Sequence, residues 1–296
     1  MEIINPRPKK FGKFLPNVPL PAIREKFRTS AKINCKFNEF SVHINDPKDI
    51  KLIFEMGFFG KGNFSRSYPQ YNNEKPDILR IRQYDKRMEW ASKNPLKFRN
   101  NKKIIIVQDS DGEYEDYFNE LQPVYSVDRS GMREVLFLSL EEAFFLAYCV
   151  EALAIEVESQ YLDPDTLWAS FSKCDPYFVC NYVAYNYFRT KNWIVKPGIK
   201  FGGDFLLYKE GPSYYHASYV VILDVFHEGR KRVEALTKRS MDNISLLCLN
   251  RLCETAGKEL MVCEITLPEE VDYKDLTNVT IKEIIINRCS ESIERS

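Results

Sequence analysis

The chain has 296 residues, with 42 Lys+Arg against 42 Asp+Glu and 44% hydrophobic residues, so its formal net charge is zero. With 20 Phe and 17 Tyr it holds enough core-forming bulk to exclude a chain disordered throughout, and its length suits about two domains. The most apolar stretch, 135–157, is interrupted by Glu141, Glu142 and Glu151, too many charges for a membrane-spanning helix.

Neutrality is the sum of two opposites. Residues 1–103 carry 23 Lys+Arg and 10 Asp+Glu, a net +13, and residues 104–296 balance them at −13. A basic block interleaved with Phe11, Phe14, Phe27, Phe37, Phe54, Phe58, Phe59 and Phe64 has the sign expected of a nucleic-acid-facing surface. An acidic partner chain, or the acidic part of this one, would satisfy it equally. The first residues, among them Glu2, Arg7, Lys9 and Lys10, form no apolar leader. The eight cysteines show no CxxC or CxxH pairing, so the expectation is an intracellular chain with reduced thiols.

Along the chain, prolines at 6, 8, 16, 19 and 21 predict an extended arm over 1–30. Residues 48–56 predict a short amphipathic helix closed by Gly57 as C-cap. The glycine-rich run Gly57-Phe-Phe-Gly-Lys-Gly-Asn-Phe-Ser-Arg-Ser67 invites a phosphate-binding reading, but it lacks the GxxxxGK[ST] spacing and a structural turn is favoured. A basic helix with Trp90 is expected over 77–103, a strand over 103–107, and an exposed acidic linker over 109–120. No EF-hand spacing accompanies those carboxylates, and no metal site is expected.

From about residue 132 the character changes. Ser139 and Glu142 form a capping-box pattern at the head of an apolar helix that is expected to carry Leu140, Phe144, Ala147, Tyr148, Leu153 and Ile155. Helical material over 165–187 breaks at Pro176. Strands are predicted at 193–195, 204–208, 217–223, 259–265 and 280–286, and a helix at 240–256. The fold class is α/β or α+β, with five segments: a basic N-terminal region 1–108, an acidic linker 109–131, a helical part 132–187, an α/β part 188–290 and a tail 291–296.

The candidate chemistry starts from the three histidines, His43, His216 and His227. His216 stands where a Gly-Pro loop enters an apolar strand. Tyr208, Tyr214 and Tyr215 surround it in sequence, and Lys258 opens the neighbouring predicted strand. Tyr, His and Lys together suffice for acid–base chemistry on phosphate esters. A metal-dependent nuclease would instead need an acidic pair and Glu-x-Lys on one sheet, a role that Glu264 or Asp204 fills poorly.

The stretch from Tyr187 to Tyr219, which contains Lys196-Pro-Gly-Ile-Lys-Phe-Gly-Gly-Asp-Phe-Leu-Leu-Tyr208 and Gly211-Pro-Ser-Tyr-Tyr-His216, resembles the catalytic domain of the tRNA-splicing endonuclease family. The resemblance extends over 138–287. It implies a mixed sheet flanked by helices and no cofactor, with Tyr208 as general base on a 2′-hydroxyl, His216 as general acid on the departing 5′-oxygen and Lys258 as stabiliser of the anionic phosphorus. It further implies pre-tRNA as substrate and a nuclear heterotetramer of two catalytic and two structural subunits paired through terminal strands such as Ile281–Ile286. The N-terminal block with its basic arm and acidic linker is most similar to the eukaryotic subunit that cuts the 5′ splice site. A 3′-site subunit or a non-catalytic subunit is the alternative, although the latter is not expected to keep Tyr208, His216 and Lys258 together. Arg251 matches the family's arginine that clamps a base by cation–π stacking, but Cys289 stands where its aromatic partner, a Trp, is expected.

Overall fold

The computed structural model describes residues 8–9, 16–63, 135–157, 160–229 and 231–286. The basic helix and strand expected over 77–107, the acidic linker, Arg66 and Cys289 lie outside the described residues.

Two six-stranded sheets organise the described residues. The first comprises β1 (Ile33–Phe37), β2 (Val42–Ile44), β3 (Lys61–Gly62), β4 (Leu136–Leu138), β5 (Leu153–Val157) and β6 (Gln160–Tyr161), in the order β3-β4-β2-β1-β5-β6. Only the β1–β5 pairing is parallel. The second comprises β7 (Ile194–Pro197), β8 (Phe205–Tyr208), β9 (Tyr219–His227), β10 (Lys231–Arg232), β11 (Glu259–Leu267) and β12 (Thr280–Ile286), in the order β12-β11-β9-β8-β7 with β10 against β9. Here β9 and β11 run parallel in register Glu259↔Tyr219 to Leu267↔His227. The fold is a mixed α/β structure, as the residues predict, and all five strands expected in the second half are present.

The first sheet corrects the expected segmentation. β1, β2 and β3 come from the basic N-terminal region, and β4, β5 and β6 from the part expected to be helical. Leu153 and Ile155 point into the core from a strand, not from a helix. The helix headed by Ser139, α3 (Leu140–Phe144), passes into a single π-helical turn, Phe145–Cys149. It stops where Glu151 takes a left-handed φ of 60°. A run apolar on every side has no single period, so helix and buried strand read alike in it. Nor does Glu142 close a capping box: its carboxylate accepts from the Gly60 amide, 3.2 Å away.

Two further expectations change at the N-terminus. The proline arm contains α1 (Leu20–Arg28), which has Pro19 as its N-cap and Pro21 in the first turn, where no intrahelical N–H is needed. Ile23 and Phe27, four residues apart, bury its inner face. Helix α2 (Pro47–Gly57) is started by the Asp46 carboxylate, which accepts from the Lys48 amide at 2.7 Å. Its left-handed C-cap is Phe58, φ 56°, not Gly57. Gly57 is needed for a different reason: a Cβ there would sit 2.3 Å from the Phe59 ring.

Helices α4 (Pro164–Cys174) and α5 (Phe178–Thr190) follow, separated at the predicted proline. Phe144 is the hub of the core around them, with ring centroids of Tyr148, Trp168, Phe171, Phe178, Tyr182 and Tyr273 at 4.9–6.4 Å. β9 is buried at every position from Tyr219 to Val225, as a central strand covered on both faces must be. Helix α6 (Asn243–Thr255) packs beside β11 and ends at the left-handed Gly257.

Candidate active site

Tyr208 is the last residue of β8, His216 lies in the loop before β9, and Lys258 directly precedes β11. These three strands are neighbours, so the three side chains issue from one end of the sheet. Ser218 ties the ends together. Its amide donates to the carbonyl of Leu207, next to Tyr208, and its carbonyl accepts from the amide of Glu259, next to Lys258 (2.9 and 3.0 Å). Tyr208, His216 and Lys258 line one cavity of about 450 Å³.

Each side chain has a distinct setting. His216 is solvent-exposed at the cavity mouth, and Tyr208 is half-buried, packed against Phe54, Phe58 and Ile194. Burial pushes the Tyr208 phenol up to about 12, away from the tyrosinate form. Lys258 is buried, its ammonium 4.4 Å from the Phe201 ring centre and donating to the Ala256 carbonyl at 3.0 Å. Burial lowers its pKa, and the positive charge of Lys9 lowers it further.

The remaining lining is basic. Lys9, Lys61, Lys196 and Lys200 join Lys258, and among the described residues that line the cavity none is Asp or Glu. Lys196 is held from below: it donates to the Gly60 carbonyl at 2.7 Å and stands 3.7 Å from the Glu142 carboxylate. Arg189, buried on α5, donates to the carbonyls of Gly57 and Trp193, both at 3.3 Å, with its guanidinium 4.1 Å from the Phe59 ring centre. The described part of the glycine-rich run divides in two. Gly57 to Phe59 is structural packing, while Gly60, Lys61 and Gly62 form part of the cavity wall.

The other candidates lie elsewhere. His43 faces Lys36 and Phe137 across the first sheet, and His227 ends β9 opposite Lys231. Asp204 is locked by Arg239 (2.6 and 3.1 Å), by Lys238 and by the Leu223 amide, and Glu264 pairs with Lys282 on the surface. Neither lines the cavity. Arg251 is exposed on α6 and is not part of the cavity wall. Sequence reasoning missed four of the five cavity lysines. Lys196 and Lys200 stood inside the stretch that carried the resemblance and Lys61 inside the glycine-rich run, whereas Lys9 had no signal beyond the arm's charge.

Residues 178–273 match the family model of the tRNA intron endonuclease catalytic C-terminal domain. The chain is 40% identical over 169 residues to a mouse tRNA-splicing endonuclease subunit Sen2, a match covering 55% of this chain and 36% of the mouse protein. It is 31% identical over 163 residues to the Arabidopsis thaliana subunit Sen2-1, covering 53% of this chain and 65% of the plant protein. A probable Sen2 subunit of Schizosaccharomyces pombe is 26% identical over 300 residues, covering 82% of this chain and 77% of the yeast protein. The chain thus spans about a third of the length of the mouse relative.

Proposed function

We propose that the chain is a catalytic subunit of the tRNA-splicing endonuclease family, to which its similarities point, and that it cuts intron-containing pre-tRNA at the 5′ splice site. The carrying observation is the convergence of Tyr208, His216 and Lys258 on one cavity whose lining holds five lysines. Such a cavity attracts a polyanion even though the surrounding half of the chain is acidic on balance. The local patch thus supplies the phosphate attraction that the overall charge of that half does not.

The reaction is a transesterification within the RNA. The 2′-oxygen of the nucleotide before the cut bonds to the adjacent phosphorus as its proton passes to solvent, and the bond from phosphorus to the 5′-oxygen breaks. His216, exposed at the mouth, gives a proton to the departing oxygen. The Lys258 ammonium stabilises the charge that gathers on the phosphoryl oxygens. The products are a 2′,3′-cyclic phosphate and a 5′-hydroxyl, and DNA, lacking the 2′-hydroxyl, is inert. No step in this scheme calls for a metal. With its phenol held protonated by burial, Tyr208 orients the 2′-hydroxyl by hydrogen bonding and does not take its proton as tyrosinate.

Partner subunits belong to the same proposal. β12 is an edge strand on which Ile281, Ile284, Ile285 and Ile286 stay half-exposed, a surface that favours pairing with another chain. The test is a His216→Ala chain assembled with its partner subunits and given pre-tRNA, with the ends of the products mapped. The expected result is loss of the 5′ cut with substrate binding retained. Loss of the 3′ cut would reassign the subunit, and unchanged cleavage would refute the catalytic role.

A further inference from the structure

The cavity is walled by parts of the chain that lie far apart in sequence. Pro8 forms an antiparallel bridge with Tyr215, and the Lys9 amide donates to the Tyr214 carbonyl at 2.6 Å. The Lys9 ammonium crosses 203 positions of sequence to donate to the Pro212 carbonyl at 2.5 Å. Pro8 and Lys9 are thereby laid along the loop that ends in His216. Lys61, from β3, lines the same cavity.

These two lysines are set against lysines of the second sheet region. The charge of Lys9 lowers the pKa of Lys258, and that of Lys61 adds to the burial and the Arg189 charge that lower Lys196 against the pull of Glu142. Lys9 is itself lowered by burial. A neutral carbonyl takes one of the three N–H bonds an ammonium can give and leaves its charge uncompensated. Lys9 and Lys258 gather where no described residue of the wall is Asp or Glu, which is unfavourable until an anion enters.

We propose that Lys9 is a substrate-binding residue of the active site, supplied by the N-terminal segment, that holds an RNA phosphate adjacent to the one being cut. The inference rests on the endonuclease reading and extends it, because the site is completed by a segment outside the matched catalytic domain. In the same stroke the segment fixes the loop that carries His216, so that substrate contact and catalytic-loop placement depend on one residue.

The test uses the full chain assembled with its partners and a pre-tRNA made uncleavable by a 2′-deoxy nucleotide at the cut. Lys9→Gln keeps a donor for the Pro212 carbonyl but removes the charge, and Lys9→Arg keeps the charge. Lys9→Gln is expected to weaken binding about tenfold near physiological salt and to reduce the slope of log Kd against log salt by about 0.7–0.9, the value of one phosphate contact. Lys9→Arg is expected to bind within about twofold of the unaltered chain. An unaltered affinity and slope in Lys9→Gln would overturn the inference, as would equal impairment of both variants, which marks a structural latch. His216→Ala on cleavable substrate separates the two levels. If it abolishes cutting while Lys9→Gln leaves the salt slope intact, only the role of Lys9 falls; if it cuts normally, the endonuclease reading falls and takes the inference with it.

Discussion

Tyr208→Phe gives the most direct measure of how the cavity activates the 2′-hydroxyl. Burial holds the Tyr208 phenol at about 12. At pH 7.5 only roughly three molecules in 100,000 would carry tyrosinate, and drawing on that form would add about 6 kcal/mol to the barrier. A phenol that orients the nucleophile contributes instead one hydrogen bond to a reacting group, about 1.5–3 kcal/mol, or roughly ten- to a hundredfold in rate. Single-turnover cleavage of pre-tRNA by the assembled enzyme, followed from pH 6.5 to 9, distinguishes the two. The ratio of the unaltered rate to the Tyr208→Phe rate is expected to stay constant across that range, because the phenol is protonated throughout. A ratio that climbs about tenfold per pH unit would identify tyrosinate as the base and refute the argument from burial. The ratio is the useful quantity, because a rise common to both profiles reports ionisation of the RNA hydroxyl and says nothing of Tyr208.

Glu141 is buried on α3, and burial raises its carboxyl to about 7. Below about pH 4.5 it is protonated whether the chain is folded or not. Between about 4.5 and 7 the unfolded chain ionises first, so stability falls across that window, by up to about 3 kcal/mol. Glu141→Gln is expected to flatten that fall and to raise the denaturation midpoint at pH 8, as followed by circular dichroism in urea; an unchanged pH profile would refute the assignment. Phe144→Ala removes the hub of the aromatic core and is expected to cost about 3–5 kcal/mol. A loss under 1 kcal/mol in the same assay would mean that the ring cluster closes over the gap.

The second sheet was legible in the sequence because its strands are short apolar runs bounded by unambiguous punctuation. Pro197-Gly198, Gly202-Gly203 and Gly211-Pro212 bracket β7, β8 and β9, and turn residues of that kind act locally. The first sheet was not legible. β2, β3 and β4 are two or three residues long, and the pairings of β2 and β3 with β4 span about 75–95 positions of the chain, so no local period marks them. The same limit explains the site. Tyr208, His216 and Lys258 sit at strand ends and are read from one continuous half of the chain. Lys9 and Lys61 reach the cavity only through tertiary pairing, the bridge to Tyr215 and the hold of Glu142 and Lys196 on Gly60.

The charge split acquires a physical meaning from this arrangement. A charge of the basic region held far from the site would act on RNA only as a distant field, screened beyond about 8 Å at physiological salt. Residues of that region instead complete the first sheet and place Lys9 and Lys61 in the cavity wall, within reach of Lys258 and Lys196. At that range each charge acts on one phosphate. Three carboxylates of the fold are committed to other groups: Glu142 to Gly60 and Lys196, Asp204 to Arg239 and Lys238, and Asp224 to Arg232 at 2.7 Å. The cavity is therefore cationic inside a half that is acidic in sum, because its described lining holds five lysines and no Asp or Glu.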